Sequence, residues 1–142
     1  MSDLPLYQNK MKIIHTTLDK IDFEIYQKLY QLNFRGGGRM RSTLVRCRKD
    51  KVNDTHISYA MDENEMVLGW GIGYSEKRVR TDYSYQCYIR KNARRSGIGS
   101  KLFNGMIKKS KVKTFRVFAY EPSTISFYKP FIEQKTANPS YV

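Results

Sequence analysis

The stretch Arg94-Arg95-Ser96-Gly97-Ile98-Gly99 constrains this chain more than any other. A strand-like segment, Tyr83 to Ile89, runs into it. Ile98, Leu102, Phe103, Met106 and Ile107 then mark one face of a helix that starts at once. Strand, basic glycine-rich turn, helix is the order that builds an anion cradle. The first N–H groups of a helix have no partner inside it, so they point outward and bind negative charge. Glycine lets a ligand approach the backbone closely. The turn therefore calls for a phosphate-bearing ligand.

The charge agrees. The net charge is +13 over 142 residues, and it is uneven. Eleven basic residues fall between Lys77 and Lys111, against the single acid Asp82. That density at the glycine turn favours an anionic ligand or partner, although a solvated basic surface also aids solubility. The length suits one domain, here taken as 1–142, and a hydrophobic content of 40% supports a real core. No apolar run reaches the length of a membrane span, and Met1-Ser2-Asp3-Leu4-Pro5 lacks the layout of a signal peptide. Cys47 and Cys87 have no metal-type spacing and read as reduced thiols. A cytoplasmic protein with no membrane partner and no metal is expected.

Along the chain, Met11 to Thr16 reads as a first strand. Asp19 can cap a helix whose apolar face is Ile21, Ile25, Leu29 and Leu32. Gly36-Gly37-Gly38 reads as a loop, and Thr43 to Lys49 is ambiguous between helix and strand. His56 to Met61 and Met66 to Tyr74 form a hairpin around the polar turn Asp62-Glu63-Asn64-Glu65. Gly69, Gly71 and Gly73 alternate within the second of these strands and suggest a bulge or close packing, with Trp70 in the core. Thr114 to Tyr120 is a further strand, which should lie parallel to Tyr83–Ile89 through a right-handed crossover. Pro122 opens a short helix that Pro130 is expected to end. The tail from Ile132 has room for one short strand. His15 and His56 read as lone structural or surface histidines. The fold class is α/β: a mixed sheet, with an antiparallel meander followed by a β-α-β-α unit and a shortened C-terminal end.

Two familiar phosphate motifs are excluded. No Gly-x4-Gly-Lys-Ser/Thr run occurs, and Leu102 stands where a dinucleotide fingerprint needs its third glycine. What remains resembles the GCN5-related N-acetyltransferase (GNAT) family, whose signature is Gln/Arg-x-x-Gly-x-Gly/Ala. Arg94 to Gly99 matches it at every defined position. Phe127-Tyr128 falls where the family carries an aromatic-Tyr pair, and the order of elements agrees from about Met11 onward.

The resemblance implies acetyl-coenzyme A as cosubstrate and direct acetyl transfer to a primary amine. Amides from Arg95 through Ser96, Gly97, Ile98, Gly99 and Ser100 would hold the pyrophosphate, with charge added by Arg94, Arg95 and Lys101. The strand before the turn would splay from its parallel neighbour, so that pantetheine pairs with backbone near Tyr88 and Ile89. The Ile89 N–H would polarise the thioester carbonyl. Tyr128 would protonate the departing thiolate, although Phe127 and Tyr128 could equally just pack their helix.

The sequence departs from the family in three places. The strand carries no Glu to act as base; Asp82, Tyr85 ordering a water chain, and Glu76 are the substitutes, or the amine loses its proton to solvent. Glu121 and Thr124 replace the usual Asn and Ala before Phe127, and Pro130-Phe131 shortens the end of that helix. Gly36 to Gly38 with Arg35, Arg39 and Arg41 would border the acceptor as a basic lid or a plain connection. The acceptor is open between an amine on an anionic partner, such as RNA, DNA or a ribonucleoprotein, and a small amine or a protein amine; the oligomeric state, monomer or homodimer, is also open. The competing function is an inactive GNAT-like fold that binds nucleic acid or protein.

Overall fold

A computed structural model describes residues 11–32, 38–50, 54–75, 83–118 and 122–140. One six-stranded sheet runs through it in the order of the sequence: β1 (Lys12–Thr17), β2 (His56–Met61), β3 (Val67–Ser75), β4 (Tyr83–Ile89), β5 (Phe115–Phe118) and β6 (Ala137–Ser140). The pairs β1–β2, β2–β3 and β3–β4 are antiparallel, while β4–β5 and β5–β6 are parallel. The crossover expected between Tyr83–Ile89 and the strand after the basic turn is thus present. Four helices cover the sheet: α1 (Phe23–Leu32), α2 (Gly38–Asp50), α3 (Ile98–Ser110) and α4 (Pro122–Glu133). None of the described helices is long and apolar enough to cross a membrane.

Strand alternation assigns each face. Trp70, Ile72 and Tyr74 of β3 pack with Leu29 of α1 and Leu44 and Cys47 of α2 in one core. Tyr85 of β4 packs on the other face with Phe103 and Met106 of α3, Phe115 and Val117 of β5, and Tyr128 and Phe131 of α4. Trp70 is fully buried, as expected. The alternating glycines of β3 serve close packing. A Cβ added at Gly71 would strike the hydroxyl and ring of Tyr85, so glycine there is what lets that ring lie flat across the sheet.

Several boundaries differ from the sequence reading. α1 begins at Phe23, with the Tyr26 N–H donating to the Asp22 carbonyl at 2.9 Å, so Asp22 rather than Asp19 stands before the helix. Thr43–Lys49 is helical, and Gly38 opens α2 instead of belonging to a loop; Gly36 and Gly37 lie outside the described residues. Thr43, Leu44 and Cys47 turn one buried edge to the sheet, a tertiary demand that settles an ambiguous local preference. α4 does not stop at Pro130 but continues to Glu133. The bond that proline cannot donate belongs to Ser126, and both residues are exposed, so water can take its place. Burial of Tyr128 and Phe131 holds the helix on either side.

His15 and His56 are not lone. Their rings lie 5.2 Å apart, with His15 Nε2 and His56 Nδ1 at 3.1 Å. Burial first, then the neighbouring His56 and Lys109, pushes His15 down to about 4. Burial also lowers His56, against the pull of Asp54.

Two outcomes follow. Gly71→Ala should cost about 1–3 kcal/mol, read from urea unfolding, because Tyr85 has nowhere to move. Both histidines bind protons more weakly folded than unfolded, so stability is constant above pH 6.5 and falls as pH drops from 6.5 towards 4. Both are half-exposed, so the expected loss is on the order of 1 kcal/mol after solvent screening. His15→Asn/His56→Gln should flatten the pH dependence of the urea midpoint in that window; an unchanged slope would contradict the assignment.

Candidate active site

β4 decides where the site forms. The Arg90 N–H donates to the Leu68 carbonyl at 2.7 Å, and the register pairs Trp70 with Tyr88 and Ile72 with Gln86. An antiparallel ladder alternates hydrogen-bonded and non-bonded pairs, so Tyr88 and Gln86 spend their backbone groups on β3. The N–H and C=O groups of Tyr83, Tyr85, Cys87 and Ile89 therefore point the other way, towards β5. β5 meets only the first of these residues: Tyr83 pairs with Phe115, Ser84 with Arg116 and Tyr85 with Val117, and the register ends there. On that side the Cys87 and Ile89 N–H groups have no partner among the described residues, and residues 119–121, which follow β5, lie outside them. The Ile89 carbonyl is met by the Arg94 Nε at 3.0 Å.

This geometry refines the expectation for the strand. The Ile89 backbone N–H lies on the side of β4 away from β3, whereas the Tyr88 backbone pairs with Trp70 of β3. The Tyr88 side chain lies on the α1 face, packed against that core and under the Arg94 guanidinium at 5.6 Å. Cys87 is the residue that sequence reasoning passed over. Stepping back by two from Ile89 would have found it.

After a 3-10 turn at Lys91–Ala93, the chain enters the basic turn. Arg95 and Gly97 both adopt left-handed backbone, with φ of 64° and 82°. Such conformations fold successive N–H groups around an anion. Gly97 stands immediately before α3 without a side-chain cap, and a Cβ built on it meets nothing within 4 Å, so the space in front of the helix is open. The first helical bond is Lys101 N–H to the Gly97 carbonyl at 3.1 Å. The N–H groups of Ile98, Gly99 and Ser100 have no acceptor among the described residues. The Ser96 hydroxyl donates to the Ala93 carbonyl and braces the turn. Arg95 and Lys101 are exposed beside it, while Arg94 is tied back to β4. These residues fit a diphosphate.

α4 reaches both parts of the site. A Cβ at Gly99 would meet the Phe127 ring at 3.0 Å, so Phe127 packs directly on the first turn of α3. The neighbouring Tyr128 is only 3% exposed, set edge-on to Phe103 and Phe127, with its phenol within hydrogen-bonding reach of the Cys87 thiol. Burial pushes Tyr128 well above the usual phenol range. It also pushes Cys87 up to about 11, against the opposite pull of the neighbouring Tyr128 and Tyr85 hydroxyls. Both groups stay protonated at neutral pH. Cys47 and Cys87 are free thiols.

Tyr85 is not at the site surface. It is fully buried between Phe103 and Phe115, and burial raises its phenol well above the ordinary value. Its hydroxyl lies by Cys87 and Ser58 without a hydrogen bond of good geometry. The hydroxyl is therefore enclosed by the core and away from bulk solvent. Asp82 and Glu76 lie outside the described residues, as do Arg35, Lys77, Arg78, Arg80 and Glu121. No group of three or more metal-ligating side chains occurs among the described residues. On the α1 face, a cleft of about 580 Å³ opens against β4, lined by Lys28, Leu32, Asn64, Met66, Tyr88 and Arg90.

The comparisons with known proteins agree with this geometry. The family model described as acetyltransferase (GNAT) family matches residues 23–131. The chain belongs to that family. Among solved structures, it is similar to an acyl-CoA N-acyltransferase from Pseudomonas aeruginosa (15% identity, 85% of each chain covered, TM-score 0.64). It is also similar to an acetyltransferase of the GNAT family from Staphylococcus aureus Mu50 (13% identity, 84% of this chain and 83% of that one, TM-score 0.62). Escherichia coli ElaA is a third, at 11% identity, 85% of each chain and a TM-score of 0.62. At these identities the likeness extends to the fold alone. No curated protein matches the sequence.

Proposed function

We propose that the chain is an acetyl-coenzyme A-dependent N-acetyltransferase acting on a primary amine. The observation that supports this is the edge of β4 at Cys87 and Ile89, unpartnered among the described residues, which runs on into the basic turn and carries the Cys87 thiol beside the Tyr128 phenol. When bound, acetyl-coenzyme A supplies an acetyl group activated as a thioester. The turn from Arg95 to Ser100 would take its diphosphate, with Arg95 and Lys101 adding charge. The strand edge would orient its extended arm, since the Cys87 and Ile89 amides offer the hydrogen bonds that β5 does not use. The same N–H groups can donate to a carbonyl oxygen as negative charge grows on it.

In this reading Tyr128 donates to the departing sulfur. Its raised phenol keeps its proton until charge develops there, so the hydrogen bond strengthens as the reaction proceeds. The amine must be neutral to attack, because an ammonium has no lone pair. No base is assigned among the described residues, so proton loss falls to solvent or to Asp82 or Glu76. The cleft on the α1 face shares the Tyr88 wall with β4 and is the side from which the amine would approach. Lys28 and Arg90 in its lining are set against Glu65, and Lys28 is also paired with Glu24 at 3.7 Å, so the lining alone selects no acceptor class. A small amine, a protein amine and one held on a ribonucleoprotein all remain acceptors of this reading.

Acetyl-coenzyme A at about a hundred times its dissociation constant should raise Tm by roughly 5–10 °C. No shift would leave the fold as a binding module without a donor. Tyr128→Phe should lower kcat about a hundredfold, with the dissociation constant for acetyl-coenzyme A nearly unchanged. Unchanged turnover would reduce Tyr128 to a packing residue.

A further inference from the structure

From Tyr83 to Tyr120 the chain contains ten Lys and Arg residues and not one Asp or Glu. The diphosphate site accounts for the cations at its N-terminal end and leaves the C-terminal end of α3 unexplained. Lys108 and Lys109 close the helix, Lys111 and Lys113 follow in the turn, and all four are exposed. The Thr114 hydroxyl donates to the Lys135 carbonyl at 2.7 Å, which brings exposed Lys135 to the same turn. No ion pair involves any of the five among the described residues, and Glu133 is the one acid near them in sequence. Five exposed ammonium groups with no carboxylate partner among the described residues make this edge of the fold strongly cationic and favour an anionic partner.

We infer that this end of α3 docks on the phosphate backbone of double-stranded RNA. The charge calls for a partner of high negative charge density, and a nucleic-acid duplex has the densest regular array of phosphates. A paired rather than a single strand follows from the side chains: Phe103 is buried, and residues 108–114 present no aromatic ring on which an unpaired base could stack. RNA rather than DNA follows from shape. Leu102, Phe103 and Met106 press α3 onto the sheet, so only a low ridge stands clear of the fold. The major groove of B-DNA takes an inserted helix, whereas the wide, shallow minor groove of an A-form duplex accepts a low ridge against its phosphates. The patch lies across the sheet from the α1-side cleft, so the duplex is an anchor and not the carrier of the acceptor amine.

The test measures fluorescence anisotropy of a mixed-sequence RNA duplex of about 20 base pairs, with full-length protein and no acetyl-coenzyme A. DNA of the same sequence and single-stranded RNA are run beside it. Four lysine–phosphate contacts predict a slope of about −3 to −4 for log K against log salt. Lys108→Glu/Lys113→Glu should weaken binding at least about tenfold and reduce that slope by about two, while Tm and the dissociation constant for acetyl-coenzyme A stay unchanged. The inference is overturned if the wild type binds DNA or single-stranded RNA as tightly as the duplex, if it does not bind duplex RNA at low salt, or if the double variant binds like the wild type. Because no donor is present, failure here leaves the proposed acetyl transfer standing, and a missing acetyl-coenzyme A shift leaves this inference standing.

Discussion

The structure turns on an unfinished pairing. β4 satisfies β3 along its whole length but meets β5 over three residues only. Buried backbone groups are costly to leave unpaired, so a strand edge exposed inside a fold asks for a partner. Among the described residues it is the Cys87–Ile89 edge, and it lies beside a turn whose amides at Ile98, Gly99 and Ser100 also lack acceptors there. Both demands are backbone demands. An extended ligand that ends in a diphosphate would meet both together.

The rest of the architecture keeps that edge in shape. The glycine at position 71 lets the Tyr85 ring lie under β3, and Tyr85 packs with Phe103 and Phe115 to hold β4, α3 and β5 as one unit. Phe127 presses α4 onto the first turn of α3, which carries Tyr128 to the Cys87 thiol. Arg94 clamps the turn back to the Ile89 carbonyl. An arginine that reads in sequence as ligand charge thus acts in part as a strut. Pro139 sits in β6, the outermost strand, where a missing N–H costs least.

Much of this was legible in the sequence, and the failures have physical reasons. The hairpin, β4 and α3 were read from alternation and from apolar spacing, both of which are local. The end of α4 was misread because Pro130 is a local rule, while the packing of Phe131 is not local. α2 was undecided because Thr, Val and Cys prefer neither state strongly until a sheet surface selects one face. Tyr85 looked available because a tyrosine in an alternating strand can face either water or core, and only the depth of α3 and α4 over that face excludes water from it.

The sequence by itself determined the strand, the basic glycine-rich turn and the helix that follow one another around Arg94 to Gly99, because alternation, glycine and apolar spacing are local signals. Tertiary structure decided which strand residues present their amides beside that turn. Whether Cys87, Tyr88 or Ile89 turns its amide to the side of β4 away from β3 depends on the register between the two strands. Register is a relation between strands far apart in the chain, and no local pattern within β4 specifies it.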